Sequence, residues 1–451
     1  MTTSTFSDLS IKLTKDIDTQ TKKDNGIYFT PVEIVRNTLS LLNPFIKNIK
    51  TVLEPSCGSC EYILELVKKY KGLDITGIEL NKQIFSSIEH INKNDKIQLY
   101  NYNFLTHNFT NKYDLIIGNP PYFVMKDKSD IDPSYKKYFT GRPNIFIIFM
   151  IKSLDLLNEN GILSFVLPRN FLNCSYYNKT RVFIKEKFQI CHIVDCTNGF
   201  KETNQNTIIL ILQKLDKDKI KNDKYILELG DNILLDSPDT ILSLKELIKN
   251  STTLKKDGAK VSIGDVVWNQ RKRCNNTEKV DGNIVVKDEV DNDGFLTEDK
   301  TKPRLIYSSD ITDNKINFKN YKIKDPEPIV TTVNGKQRKK SRWNINKDKL
   351  NYVNMKGDDG PVLVVMRGYG NGGYKFNYCL INENKPFKYK IENHLICIKY
   401  ENTDDKQKLE CYDRIVKSFQ NKKTKEFIDM YFSNNAMNAT ELHTILPIFN
   451  K

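Results

Sequence analysis

No apolar run in this 451-residue chain approaches the ~20 residues of a membrane-spanning helix, and residues 1–25 lack the hydrophobic core of a signal peptide. No membrane partner is therefore expected. Cysteine is too irregular for a disulfide scaffold. Its nine copies are an odd number, and without an export signal they are expected as reduced thiols in a cytosol-like compartment. The CxxC formed by Cys57 and Cys60 has no second pair to complete a zinc ribbon, and the five histidines show no metal-ligand spacing. No metal is expected. Charge of one sign is not concentrated either. The net +14 divides into +6 over residues 1–214 and +8 beyond, so the excess supports a polyanionic partner only weakly, and local basic clusters are the better guide.

What is present is an alternation. Strand candidates at Thr51–Glu54, Ile75–Glu79, Ile97–Phe104, Tyr113–Gly118, Ile162–Leu167, Ile190–Asp195 and Thr207–Gln213 are mostly separated by helical segments. The helical segments are Pro31–Leu42, Tyr62–Tyr70, Lys82–Ile91, Asn144–Leu157 and Asn178–Phe188. This order implies an α/β fold with a parallel, doubly wound sheet, whose ligands bind beyond the carboxyl ends of the strands. The domains read as a flexible N-terminus over 1–23, a catalytic α/β domain over 24–214 and a charged connector over 215–260. A second, mixed α/β or β-rich domain follows over 261–451.

Two strand ends carry chemistry. Leu53-Glu54-Pro55-Ser56-Cys57-Gly58-Ser59 joins a strand to a helix, the usual place for an adenosine-bearing cofactor, and Glu79 ends the next strand, where a carboxylate can bond both ribose hydroxyls. This loop lacks GxGxxG, so a pyrophosphate is not expected there; its carboxylate suits a cation such as a sulfonium. A plain strand-to-helix turn is the alternative. Asn119-Pro120-Pro121-Tyr122 ends the apolar run Tyr113–Gly118. Two prolines stop the strand and leave the Pro120 carbonyl to accept. The Asn119 amide oxygen is a second acceptor and Tyr122 a flat face, together a receptor for the amino group of adenine. The alternative is a Pro-Pro turn that only caps a strand.

Taken in order, Gly26-Ile27-Tyr28-Phe29-Thr30-Pro31, the Leu53–Ser59 loop, Glu79, Asn103-Phe104 and Asn119–Tyr122 resemble the γ-class, TaqI-type N6-adenine DNA methyltransferases over residues 24–450. The resemblance implies a Rossmann-like class I methyltransferase domain followed by a C-terminal mixed α/β target-recognition domain, with S-adenosylmethionine as methyl donor. It assigns Thr30 and Glu54 to the methionine end of that donor and Glu79 to its ribose. Asn103 and Phe104 fall at its adenine, and Ser56, Asn119 and Phe146 line its pocket, Phe146 within Arg142-Pro143-Asn144-Ile145-Phe146. Asn119, Pro120, Tyr122 and Phe200 would hold the flipped adenine, the two rings stacking on it. Two positions depart from the family pattern. Asn103 replaces the usual aspartate, which is expected to weaken binding modestly, and Cys60 replaces a small residue, usually glycine, where its side chain could crowd the methionine moiety.

Beyond residue 261 the clusters Trp268–Arg273, Lys336–Trp343 and Met366–Gly370 mix cations, amides and aromatics. Arg271, Arg273, Lys336, Arg338, Arg342 and Arg367 are the expected DNA contacts, through phosphates or base edges. A solvated charge run is the alternative for each cluster. The implied partner is double-stranded DNA, bound by a monomer, with a cognate restriction endonuclease as a possible companion. The implied compartment is the bacterial cytosol, or the host cytoplasm for a gene of a large DNA virus. Rival readings are an RNA adenine-N6 methyltransferase, a protein glutamine-N5 methyltransferase and a catalytically inactive DNA-binding protein.

Overall fold

The computed structural model of the chain describes residues 6–93, 96–125, 131–141, 143–196, 206–270, 276–280, 283–287, 299–321, 329–333, 336–340, 349–367, 375–382, 387–401, 403–432 and 437–449. It divides into two compact units, residues 1–246 and 247–451.

The first unit begins with helices α1 (Asp8–Asp16), α2 (Thr19–Asn25) and α3 (Val32–Leu41). Then come β1 (Thr51–Glu54), α4 (Glu61–Lys69), β2 (Asp74–Ile78), α5 (Lys82–Ile88), β3 (Ile97–Tyr100), β4 (Tyr113–Gly118), α6 (Ile145–Asp155) and β5 (Leu157–Pro168). The unit ends with α7 (Asn178–Lys187), β6 (Phe188–Cys196), β7 (Thr207–Lys214), β8 (Ile226–Leu229), β9 (Asn232–Leu235) and α8 (Pro238–Leu247). Seven strands form one sheet in the order β3-β2-β1-β4-β5-β7-β6. Alternate residues face opposite layers. Leu53 and Ile116 pack with α6, whereas Val52, Leu115 and Ile117 pack with α3 and α4. Helix α6 is buried on nearly every side, as its unbroken Ile145-Phe146-Ile147-Ile148-Phe149-Met150-Ile151 run requires.

The doubly wound α/β sheet is as expected, but the expected all-parallel order needs correction at one strand: β7 runs antiparallel to both β5 and β6. Residues 197–206 between β6 and β7 are too few for the dozen or more that a parallel crossover takes. Two boundary expectations also change. The N-terminus, read as flexible, forms α1, with Ser10, Leu13 and Ile17 buried. The connector read over 215–260 belongs in large part to the first unit. The β8–β9 hairpin places Ile226, Ile233 and Leu235 in the core beneath α6, and Asn222 binds the β6 edge by accepting from Ile190 N (2.8 Å) and donating to Phe188 O (2.8 Å).

In the second unit, Lys260–Ile263, Leu395–Lys399, Val362–Met366 and Tyr378–Ile381 form a four-stranded antiparallel sheet in that order. Helices Asp405–Gln420, Lys422–Tyr431 and Ala439–Thr444 accompany it, so this unit is mixed α/β.

Candidate active site

The carboxyl ends of β1, β2, β3 and β4 surround a cavity of about 530 Å³. Between β1 and α4 the chain turns sharply. Cys57 N donates to Ile78 O (2.8 Å), Cys60 N donates to Cys57 O (2.7 Å), and both Gly58 and Cys60 are left-handed, with φ of 51° and 63°. Ser56 and Gly58 face the cavity. Cys60 does not; it is fully buried in the layer between the sheet and α4, beside Cys57. The expected crowding of the methionine moiety by Cys60 is therefore corrected: the left-handed turn points its side chain into the core.

Glu79 lines the cavity, and its carboxylate anchors the loops on either side, accepting from Gly58 N (3.0 Å) and Asn81 N (2.7 Å). Burial raises its pKa, while these N–H bonds oppose the shift. Glu54, only 3% exposed, precedes the wall residues Pro55 and Ser56, and its Oε2 has no hydrogen-bond partner among the described residues. Burial holds its pKa well above the ordinary carboxylate value, reinforced by Cys60, Glu61 and Glu79. A backbone hydrogen bond from Ile63 opposes the rise only in part, so a cation placed against the remaining oxygen would be favoured. Glu61, at the start of α4, is instead well served: it accepts from Ser7, from Ser10 Oγ (2.6 Å) and from Ser59 Oγ (3.3 Å). The N-terminal helix is thus bonded to the loop between β1 and α4.

Asn119 also lines the cavity. Its Nδ2 donates to Tyr28 O (3.3 Å), and its backbone carbonyl accepts from Ser56 Oγ (3.3 Å). Gly26, with φ of 62°, packs so closely on the loop after β4 that a Cβ there would lie 2.8 Å from Tyr122 N. The segment Gly26–Phe29 therefore clamps the Asn119–Phe123 loop. Tyr122 is not in the wall of this cavity. Its hydroxyl reaches Asn119 Oδ1 and Val166 O (2.7 Å), and its ring stands edge-on to Phe146 at 6.0 Å.

The remaining expectations divide. Asn103 and Phe104 line the cavity, and Asn103 Oδ1 accepts from Leu105 N (3.0 Å). Thr30 and Phe146 are buried and outside the wall; Phe146 packs among Tyr122, Phe171 and Tyr177. Pro120 is buried beside Asn119. Phe200, Arg142, Arg271, Arg273 and Arg342 lie outside the described residues, as do the side chains of Lys336 and Arg338, whose backbone forms a hairpin strand with Ile329–Val333. In the second unit Arg367 is half-buried, and its Nη1 donates to Asn393 O (3.5 Å). Lys349 is also half-buried, donating to Ser309 Oγ (3.1 Å) and Tyr321 Oη (3.3 Å). Neither has a carboxylate partner among the described residues, whereas Lys390 and Arg414 do.

Sequence reasoning gave Phe29 no role beyond its place in the Gly26–Pro31 motif and missed Asn81 and Tyr102 in the cavity wall. Asn81 was discoverable as the N-cap of α5, two residues after Glu79; its Oδ1 accepts from Gln83 N and Ile84 N. No motif marks Tyr102, which stacks on Tyr100 and His107. Among the described residues, no group of three or more His, Cys, Asp or Glu is placed to hold a metal ion.

Residues 26–201 match the Eco57I restriction-modification methylase family. The chain is 26% identical over 446 residues to the Type II methyltransferase M.CvrRI of Paramecium bursaria Chlorella virus XZ-6E, covering 98% of this chain and 99% of that protein. It is 31% identical over 182 residues to the modification methylase CviBIII of Paramecium bursaria Chlorella virus NC1A, covering 40% of this chain and 47% of the relative. It is 27% identical over 187 residues to the Type II methyltransferase M.AccI of Acinetobacter calcoaceticus, 40% of this chain and 34% of the relative. The chain thus spans the first relative end to end and less than half of the other two.

Proposed function

We propose that this chain, whose residues 26–201 form an Eco57I-type restriction-modification methylase domain, is a sequence-specific DNA methyltransferase acting on N6 of adenine. In finer classification it is read as a γ-class, TaqI-type enzyme, with S-adenosylmethionine as donor and double-stranded DNA as acceptor. The observation that carries the reading is the meeting, at one cavity, of Glu79 and Asn119 of the Asn-Pro-Pro-Tyr loop, with Glu54, whose Oε2 has no partner among the described residues, next in the chain to the wall residue Pro55.

The residues fit such a donor. The cavity falls within the roughly 300–1,000 Å³ of small-molecule sites. Phe104, Leu105, Ile84 and Phe149 give it an apolar wall suited to a flat ring. Glu79 retains lone pairs for ribose hydroxyls, and the Glu54 oxygen is an acceptor for an ammonium. When bound, S-adenosylmethionine supplies an electrophilic methyl on a sulfonium.

The chain's own groups then act on the acceptor. The amino nitrogen of adenine is a poor nucleophile because its lone pair is delocalised into the ring. Asn119 Oδ1 and the Pro120 carbonyl would take its two hydrogens and draw the lone pair out of plane. Positioning and preorganised acceptors supply the acceleration, with no covalent intermediate. Within a duplex that nitrogen is out of reach, so the target base must leave the stack. Sequence reading would fall to residues after about 261, and the protein would act as a monomer in the cytoplasm, a cognate restriction endonuclease being its natural companion.

The test is methyl incorporation from labelled S-adenosylmethionine into duplex DNA, RNA and protein in parallel, followed by nucleoside analysis. N6-methyladenine in DNA is the expected product. Label in RNA adenine or in protein glutamine would replace the reading with the corresponding rival.

A further inference from the structure

The Asn-Pro-Pro-Tyr loop holds a hydrogen-bond problem with one solution. The carbonyl of Tyr28 can only accept, so the Asn119 amide must face it with Nδ2, at 3.3 Å. Oδ1 is thereby turned toward the Tyr122 hydroxyl. That hydroxyl has one proton and two acceptors in reach, Asn119 Oδ1 and the Val166 carbonyl at 2.7 Å, near the carboxyl end of β5. The hydroxyl therefore links two strand ends. Val166 fixes where the oxygen sits, and the oxygen fixes the amide.

We infer that Tyr122 is a positioning residue whose hydroxyl, and not only its ring, sets Asn119 for transfer. The inference rests on the reading of Asn119 as the acceptor for the target amino group. Before the base arrives, the hydroxyl donates to Asn119 Oδ1 and holds the amide in one orientation. As the amino group donates to Oδ1, the hydroxyl rotates its proton to the Val166 carbonyl and leaves the Oδ1 lone pairs to the amine. No covalent bond forms or breaks, and the phenol keeps its proton throughout. Burial of the Tyr122 ring, which pushes its pKa well above 10, keeps the phenol neutral in this role. The ring's place against Phe146, away from the cavity wall, agrees with a function that is not stacking alone.

Tyr122→Phe separates the two roles because it keeps the ring and removes the hydroxyl. The expected result is a kcat lower by about ten-fold, the worth of one hydrogen bond. KM for DNA, cofactor affinity and the fluorescence of 2-aminopurine at the target position should stay within two-fold. Independently of activity, exchange of the Asn119 side-chain amide protons, followed by NMR, should speed up by about ten-fold in the variant. A kcat within two-fold of wild type, a loss that tracks a lost 2-aminopurine signal, or unchanged amide exchange would each overturn the inference. A wild-type protein that transfers no methyl to DNA adenine would instead overturn the reading on which it rests. In that case the amide exchange still decides whether the hydroxyl holds Asn119.

Discussion

Under the proposed function, donor binding turns on the Glu54 carboxyl. Its pKa in the folded protein lies well above the ordinary 4.5 because it is buried among other acids. The free protein therefore keeps a proton there that the unfolded chain loses. This favours folding below the ordinary value and fades as pH rises through the folded pKa. Pairing with a cationic donor needs the carboxylate, so cofactor binding should release a proton and tighten as pH rises across that same window. Calorimetry over a pH series in buffers of different ionisation enthalpy should detect the release, and Glu54→Gln should abolish most of it. Glu79, also raised by burial, contributes in the same direction. Cys60 gives a contrasting expectation. Its left-handed backbone costs roughly 1 kcal/mol, and its burial returns a similar amount, so Cys60→Gly should change stability by less than about 1 kcal/mol. It should also leave cofactor affinity unchanged, since the side chain is outside the cavity; a marked gain in affinity would restore the crowding idea. At this scale Glu79, Ser56, Asn103, Phe104 and Asn119 were legible as cavity residues because each stands at a strand end, where type and place agree. The turn of Cys60 into the core was not, because a positive φ at a non-glycine residue leaves no mark in the sequence.

Among elements, the strands were readable because buried runs such as Tyr113–Gly118 are continuous and bounded by prolines or polar loops. The reversed β7 was hidden because a buried strand reads the same in either direction, and only the short link before it betrays the reversal. Helix α1 was missed because its buried face includes a serine: Ser10, fully buried, bonds Ser59 and Glu61. Two elements depend on single residues. Gly26→Ala would push a Cβ to 2.8 Å from the Tyr122 backbone nitrogen, so the clamp on the Asn119 loop should shift. The expected outcome is at least a ten-fold loss of kcat/KM with the protein still folded; near-normal activity would mean that the clamp does not matter. Arg181, fully buried on α7, donates to Phe171 O (2.8 Å), Cys174 O (2.8 Å), Ile233 O (2.5 Å) and Asn232 Oδ1 (2.7 Å). It therefore joins the β8–β9 hairpin to the segment after β5. Arg181→Met strands several buried acceptors and should cost about 3 kcal/mol or more in urea unfolding.

For the molecule as a whole, the hairpin belongs to the first compact unit, which runs past Lys214 to Glu246. A fragment ending near Lys214 would lose Tyr225, Ile226, Ile233 and Leu235 from the core, whereas one ending at Glu246 keeps them. The longer fragment should melt cooperatively and bind the donor; the shorter should not. In the full chain, the half-buried Lys349 and Arg367 lack carboxylate partners among the described residues, so each is a candidate for a phosphate contact under the proposed function. Replacing either by alanine should reduce the slope of log affinity for DNA against log salt by about 1 and leave sequence preference intact if it contacts phosphate. The overall charge could not single out any DNA contact, because +14 is spread over both halves. The central claim is tested most directly by methylating unmodified genomic DNA with the purified chain and mapping N6-methyladenine by sequencing, beside Asn119→Ala. Modified adenines at one short recurring sequence with the wild type, and none with the variant while donor binding persists, are the predicted result. Adenines modified at that sequence by both proteins, or unmodified DNA alongside labelled RNA or protein, would contradict it.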